Sequence, residues 1–544
     1  MSCRRPAAAL FALCAFVFLP AMARAEGTGS GDDLSRFRDE MRAEMGRMKE
    51  EMQQVRAENA DLRHMLRGRS SPPGVVPVSV DRALDGSLPA SYNGEPGSSF
   101  PGKGIPAGPR SENGFNWDFG GQWRVMANAA NFGFHSSTIG DQKDDGFLNE
   151  RLRNWLWVSP AEGVEGYMQV EIGHITFGRD FEFPKSVQIE LRRGYLTYRN
   201  EDVGDFRLGI QDWHDMFYAE GSSIPKEPAV DDYRSFGSVL ANSIWDFNVG
   251  GLTYHKQFHS MGDLEVRLGG YVLFRDDDGF RAADTQLWAA DLDLPVCEDA
   301  GIGWSFYWVH DSESYSYPTL AEPRRADDLW TGLRGHAKLG GVPVNGFFIF
   351  NQGWRDDAPP LDDFEHTGWA AKAEVGPLEL GPGKFFLQTL FATGEDDPTD
   401  TDSGEFRTIA QSAQDNFGAQ GYWSYLFLTS PHGPSDVNDL GVGLQNRGLG
   451  LYTVQGKYAY PIVGILSGTL GAGWLRSFAD NSVNGHAAMG VEIGNDFHLD
   501  LGRGFSVDFG AAGLFTGDFY EEAGSDPPDP DNLYEVFLRT QLEF

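Results

Sequence analysis

The stretch Tyr534-Glu-Val-Phe-Leu-Arg-Thr-Gln-Leu-Glu-Phe544 restricts the fold more than any other part of the chain. Tyr534, Val536, Leu538, Thr540, Leu542 and Phe544 are apolar or small, and Glu535, Arg539, Gln541 and Glu543 alternate with them, with Phe537 the exception. A period of two describes a strand with one apolar face. A strand that runs to an aromatic last residue suits the closing strand of a membrane-spanning barrel. The alternative is the last strand of a soluble sandwich.

The amino-terminal region points the same way. Arg4 and Arg5, the apolar run Ala7 to Leu19 and the small-x-small site Ala23-Arg24-Ala25 read as an export signal over residues 1–25, cleaved before Glu26. Cys3 and Cys14 would leave with it, and Cys297 alone cannot form an internal disulfide. There is no Cys-x-x-Cys-His haem attachment motif, and no cofactor is expected. Past residue 25 no run of about 18 apolar residues occurs, which excludes a helical membrane protein. A barrel remains open, because only alternate residues of its strands face lipid. The 68 glycines and 13% aromatics suit tight turns and interfacial girdles. A net charge of −35 argues against nucleic acid as a partner.

Residues 26–67 contain a heptad-like seam: Leu34, Met41, Met45, Met48, Met52, Val55, Asn59, Leu62 and Leu66, with Arg38 as an imperfect member. This predicts an α-helical coiled coil on the periplasmic side, with Met45, Met48, Met52, Val55, Asn59 and Leu62 as oligomerisation residues and Asn59 fixing register. A homo-trimer is the favoured assembly. A dimer and a lone amphipathic helix are the alternatives. Residues 68–114, with Ser70-Ser-Pro-Pro-Gly74 and Pro101-Gly-Lys-Gly-Ile-Pro106, read as a linker.

From residue 115 to 544 alternation persists. It predicts an all-β transmembrane barrel of about eighteen antiparallel strands, with sixteen possible. Turns expected at 159–163, 199–204, 259–262, 295–302, 340–343, 376–384, 461–464 and near 498–504 are short. Those between are long and acidic, the outer-membrane asymmetry of short periplasmic turns and long external loops.

Sorting side chains by parity gives the inner face. The pore-lining candidates are Arg151, Arg153, Glu165, Glu171, Arg207, Glu265, Arg267, Arg334, Lys338, Lys457 and Arg539, with Lys372, Asp291, Asp293, Glu374, Glu492, Asp508 and Glu535 of the same parity. Opposed charges across a narrow pore filter solutes by charge and size. Arg151 and Arg153, on one face of one strand, are the first filter candidates. The competing reading is cross-strand ion pairs that stiffen the wall. Loops 214–244 and 395–449 are candidates to fold inward. The second holds Phe417, Tyr422, Trp423, Tyr425 and Phe427, which suits either a lumen-packed segment or an unrecognised hairpin. The acidic runs Asp276–Asp278, Asp396–Asp400 and Asp526–Asp531 lack the spacing of a calcium loop and read as solvated surface. No Gly-x-Ser-x-Gly, His-Glu-x-x-His or phosphate loop occurs, and His310-Asp311-Ser312 lacks a third partner, so no enzyme is expected.

Two stretches resemble known families. Ile189-Glu-Leu-Arg-Arg-Gly-Tyr-Leu-Thr-Tyr198 with Phe206-Arg-Leu-Gly-Ile-Gln211 resembles a strand pair of several porin families. Gly490-Val-Glu-Ile-Gly494, Phe505-Ser-Val-Asp-Phe-Gly-Ala-Ala-Gly-Leu-Phe-Thr-Gly-Asp-Phe519 and the closing strand resemble the end of alginate-export-type outer-membrane proteins. The coil resembles the start of phosphate-selective-type trimeric porins, and the terminal Phe544 resembles the signal read by the barrel assembly machinery. The resemblance implies an eighteen-stranded barrel in outer-membrane lipid. Unlike the strongly basic lumen of the alginate exporter, the inner face here carries both signs in similar numbers. The expected function is an outer-membrane porin, a passive channel for small hydrophilic or anionic solutes. The alternatives are the barrel of an export or electron-transfer conduit, or a structural tether to the cell wall.

Overall fold

The computed structural model describes residues 115–544 apart from 132–144, 162, 178–188, 212, 214, 217–248, 273–284, 298, 312–325, 356–363, 396–401, 409–423, 430–441, 482–484 and 521–531. The expected signal, coil and linker lie outside the described residues.

The strands are β1 (Asn116–Ala130), β2 (Asp145–Ala161), β3 (Val164–Phe177), β4 (Ile189–Tyr198), β5 (Asp205–Gln211), β6 (Val249–Phe258), β7 (Leu264–Val272), β8 (Thr285–Cys297), β9 (Ala300–Asp311), β10 (Ala326–Leu339), β11 (Val342–Arg355), β12 (Phe364–Leu380), β13 (Gly383–Ala392), β14 (Asp402–Ser403), β15 (Leu451–Val463), β16 (Leu466–Ser477), β17 (Ala488–Asp500), β18 (Phe505–Thr516) and β19 (Leu533–Glu543). Each wall strand pairs antiparallel with its neighbours in the chain, and β1 pairs with β19 from Gln122↔Glu543 to Ala130↔Glu535, which closes the sheet. Two-residue β14 lies parallel to β12, and β13 pairs directly with β15, so the wall has eighteen strands. Among the described residues the helical elements are 3-10 turns, at His259–Met261, Asn446–Gly448 and Asp518–Tyr520.

The turn lengths explain the order of pairing. Connections such as Gly340–Gly341 and Gly464–Ile465 are two-residue turns with glycine at positive φ, which joins adjacent antiparallel strands without room for a crossover. Long connections alternate with these at the opposite end of the barrel.

The outer face follows the period-two pattern. Trp117, Phe119, Trp123, Leu208, Leu252, Leu333, Phe348 and Leu538 are exposed and apolar. Near the long-loop end the outer rings Phe348, Trp369, Phe391, Tyr452 and Trp474 touch in series, with centroids 4.5 to 6.2 Å apart. Near the short-turn end Phe206 and Tyr254, Tyr458 and Tyr460, and Phe497 and Phe509 pair in the same way. Two aromatic belts flanking an apolar band are what a barrel needs where lipid meets water.

The inner face is less uniform than alternation alone suggests. Toward the long-loop end Leu287, Val309, Trp330, Ile349, Leu390, Leu451, Leu475 and Met489 line the inside as a buried apolar cluster. Inward-folded residues Trp213, Phe406, Leu426, Val442, Leu444 and Phe519 cover it. Part of the barrel interior is thus a packed core, and strands such as β13 carry apolar residues on both faces, with Gln388 and Lys384 the polar members of the inner one.

Candidate functional site: the inner wall and the segment across it

The basic part of the wall is built by β1 to β5. Arg124, Arg151, Arg153, Arg192, Arg193 and Arg207 are all buried on the inner side. Arg124 and Arg151 are cross-strand neighbours, and Arg151 donates to Gln122 Oε1 at 2.8 Å. Glu171 accepts from Arg153 and lies 3.1 Å from Arg192 Nη1. Arg207 stacks over the Tyr195 ring at 4.2 Å, and Tyr195 stacks on Tyr167 at 5.1 Å. Arg192 and Arg193 are adjacent, yet both are buried. The register shows why: Gln169 pairs with Arg193 and Val170 with Leu191, so Arg192 is the extra residue of a β-bulge. Parity counting misses this arginine.

The remaining wall is a series of ion pairs. Asp291 accepts from Ser305 at 2.6 Å, from Arg267 at 2.9 Å and from Tyr307, and Arg334 bonds Asp293 and Ser305. Arg539 Nε and Nη2 each lie 3.1 Å from Asp508 Oδ2, and His498 Nδ1 is 2.7 Å from the other oxygen. Lys372 lies 3.1 Å from Glu374, and Asn128 donates to Glu535 at 3.0 Å. At the short-turn rim Glu165 takes two bonds of 3.1 Å from Arg199, and Glu265 meets His255 at 3.0 Å. Lys457 sits between the rings of Phe386 and Tyr425, at 4.7 and 4.6 Å. Lys338 is exposed beside the Gly340–Gly341 turn. His310 is on the outer face, 2.8 Å from Asp327 Oδ1, where Trp308 also donates at 3.0 Å. The acidic runs considered for calcium, the core of loop 214–244, and the oligomerisation residues Met45, Met48, Met52, Val55, Asn59 and Leu62 lie outside the described residues.

The long connection after β13 resolves one open alternative. No hairpin from it enters the wall, since β13 pairs straight to β15. Its described pieces turn inward instead. Arg407 N–H donates to Asn351 Oδ1 at 2.9 Å, and Trp330 Nε1 donates to the Arg407 carbonyl at 2.8 Å. Ser424–Thr429 then crosses the inner faces of β13, β15, β16 and β17. Gln455 Oε1 accepts from Ser424 Oγ at 3.1 Å and from Tyr425 N–H at 2.7 Å. Glu492 Oε1 accepts from Phe427 N–H at 2.6 Å and Leu428 N–H at 2.8 Å. Its Oε2 accepts from Thr429 N–H at 2.8 Å and from the Thr429 hydroxyl at 2.6 Å. Glycines allow the approach: a Cβ on Gly471 would sit 2.6 Å from the Tyr425 carbonyl, and one on Gly494 2.6 Å from the Phe427 ring. Burial, with Glu374 nearby, pushes the Tyr425 phenol well above its ordinary range, so it stays protonated.

Sequence reasoning placed Glu492 on the inner face but found no role for it. Gln455, Asn351 and Arg124 it passed over, although Gln455 shares the parity of Lys457 on β15.

No protein-family model matches the sequence, and no curated protein does. Solved structures are similar. OpdL of Pseudomonas aeruginosa matches with a TM-score of 0.47 at 10% identity, over 79% of this chain and 98% of that one. OccK8 (OprE) of the same organism gives 0.46 at 10% identity, over 79% and 98%. The trimer form of Vibrio cholerae OmpT gives 0.34 at 10% identity, over 78% and 99%. With scores and identities this low, fold and function rest on the chain's own strands and inner wall. The alginate-export-type and phosphate-selective-type resemblances gain no support from a family model.

Proposed function

We propose that the protein is an outer-membrane porin, a passive channel for small hydrophilic solutes with a preference for anions. The observation that carries this reading is a closed eighteen-strand barrel, apolar and belted outside, with six arginines on the inner faces of β1 to β5. Charged side chains are costly on a lipid-facing wall, and these face inward, where Glu171, Gln122 and the Tyr195 ring are among their partners. Barrels of about 16–18 strands are wide enough to leave an aqueous path. Arg151, Arg153, Glu171, Arg207, Arg267, Arg334 and Arg539 are read here as lining that path, with Glu165, Glu265 and Lys338 at its short-turn end and Lys457 beside the inward segment. The coil over 26–67, assembly as a trimer and recognition of Phe544 by the barrel assembly machinery belong to the same reading.

Planar-bilayer recording of the purified full chain tests it. A steady ohmic level is expected, with a reversal potential under a salt gradient that favours anions. Well-folded protein that never conducts would sink the channel and favour a tether or a filled sheath. Co-purifying haem would favour the conduit.

A further inference from the structure

We infer that Ser424–Thr429 is a strap that sets the aperture of the channel, and that Glu492 is the residue that positions it. This rests on the channel reading above. In a closed wall of eighteen strands, a strand faces the one nine places away. The strap crosses β13, β15, β16 and β17, so it faces β4 to β7, the part of the wall with Arg193, Arg207 and Arg267. One layer of chain occupies several ångströms, comparable with sheet-to-sheet packing of about 10 Å. Laid across one wall, it narrows the lumen against the arginines opposite.

The two ends of the strap are held unequally. Ser424 and Tyr425 share one neutral acceptor, Gln455 Oε1. Phe427, Leu428 and Thr429 give four hydrogen bonds to a single carboxylate that is 0% exposed. Three successive amides aimed at one anion form a nest, and bonds to a charged acceptor are the stronger kind. Glu492 spends both oxygens on the strap, so an amide cannot replace it. A glutamine would keep one acceptor oxygen and turn an NH2 donor toward the Thr429 N–H. The apolar contacts of Leu426 and Phe427 hold the strap to the wall but do not fix its register. The carboxylate does.

The test compares the full chain with Glu492→Gln and with Thr429→Val, a milder change on the strap itself. Folding of each is checked by the shift in gel mobility on boiling. Amide exchange reads the latch directly. The amides of 427–429 should be protected in the parent and exchange at least about tenfold faster in Glu492→Gln, the equivalent of one charged hydrogen bond. Thr429→Val should fall between. Single-channel conductance and the largest polyethylene glycol that enters the pore read the aperture, and both should rise in Glu492→Gln. Unprotected amides in the parent, or protection unchanged in both variants, would overturn the latch and leave the channel standing. Released amides with unchanged conductance and cut-off would overturn the aperture role. A silent parent with a conducting Glu492→Gln would show the strap closing the pore, which supports the inference. Silence in all three would overturn the aperture and the channel reading together, whatever the amides do.

Discussion

Arg151 and Arg153 are two residues apart on one face of β2, yet their surroundings assign them different work. Arg153 is bound to Glu171, which it shares with Arg192. Arg151 is a cross-strand neighbour of Arg124, a like charge, and donates to the neutral Gln122. Arg151→Ala relieves that like-charge contact, so it should cost less stability than Arg153→Ala and lower anion preference, seen as a reversal potential shifted toward the cation side. Arg153→Ala should weaken the fold first. Breaking a buried ion pair costs about 3–5 kcal/mol, reduced here because Arg192 still holds Glu171. Urea unfolding monitored by tryptophan fluorescence separates the two. Equal selectivity loss and equal stability in both variants would remove the distinction. Parity alone made both arginines legible in the sequence. The partner of each was not, because cross-strand register depends on where the bulges fall.

At the scale of elements, the strands were legible and the strap was legible only as one of two readings, a lumen-packed segment or a hairpin, for one physical reason. A wall strand buries one face against lipid, so period two is written into it. Ser424-Tyr-Leu-Phe-Leu-Thr429 is buried on an inner wall that is itself apolar, so it reads as a short hydrophobic run, the pattern of a buried strand. What separates it from a strand is the acceptor set on other elements, Gln455 and Glu492, which no local pattern reveals. The bulge at Arg192 is hidden in the same way, and it gives a prediction. Since Arg192 is the extra residue of the bulge, removing it regularises the β3–β4 ladder: Leu191 stays outward and Arg193 inward. Removing Tyr195, a paired residue, shifts one side of β4 by one position and reverses the faces of the residues before it. The deletion of Arg192 should still give a barrel whose gel mobility changes on boiling. The deletion of Tyr195 should not. Assembly of both, or of neither, would contradict the register.

For the whole molecule, closure is the step that turns a sheet with two edges into a structure that can sit in lipid, where an open edge would strand backbone polar groups. The seam is β1 against β19, and Phe544 takes part in it directly. Its N–H donates to the Gly121 carbonyl at 3.0 Å, its carbonyl accepts from Gly121 N–H at 2.8 Å, and its ring lies where a Cβ on Gly121 would be. Gly121 is thus small because the terminal ring covers it. The backbone part and the ring part of Phe544 can be separated. Phe544→Ala keeps both backbone bonds and loses the ring, whereas deleting the residue loses both. If the ring is what the assembly machinery reads, Phe544→Ala should assemble poorly in cells, about as poorly as the deletion. It should still fold in detergent from urea, with little loss of stability, because the ring is more than half exposed, at 56%. The deletion should be impaired in both settings, having lost the last ladder pair of the seam. The measurement is the folded fraction by gel mobility, in outer membranes and after refolding. Normal assembly of Phe544→Ala in cells would place the signal elsewhere in the closing strand, and failure of Phe544→Ala in detergent would show that the ring over Gly121 holds the seam itself.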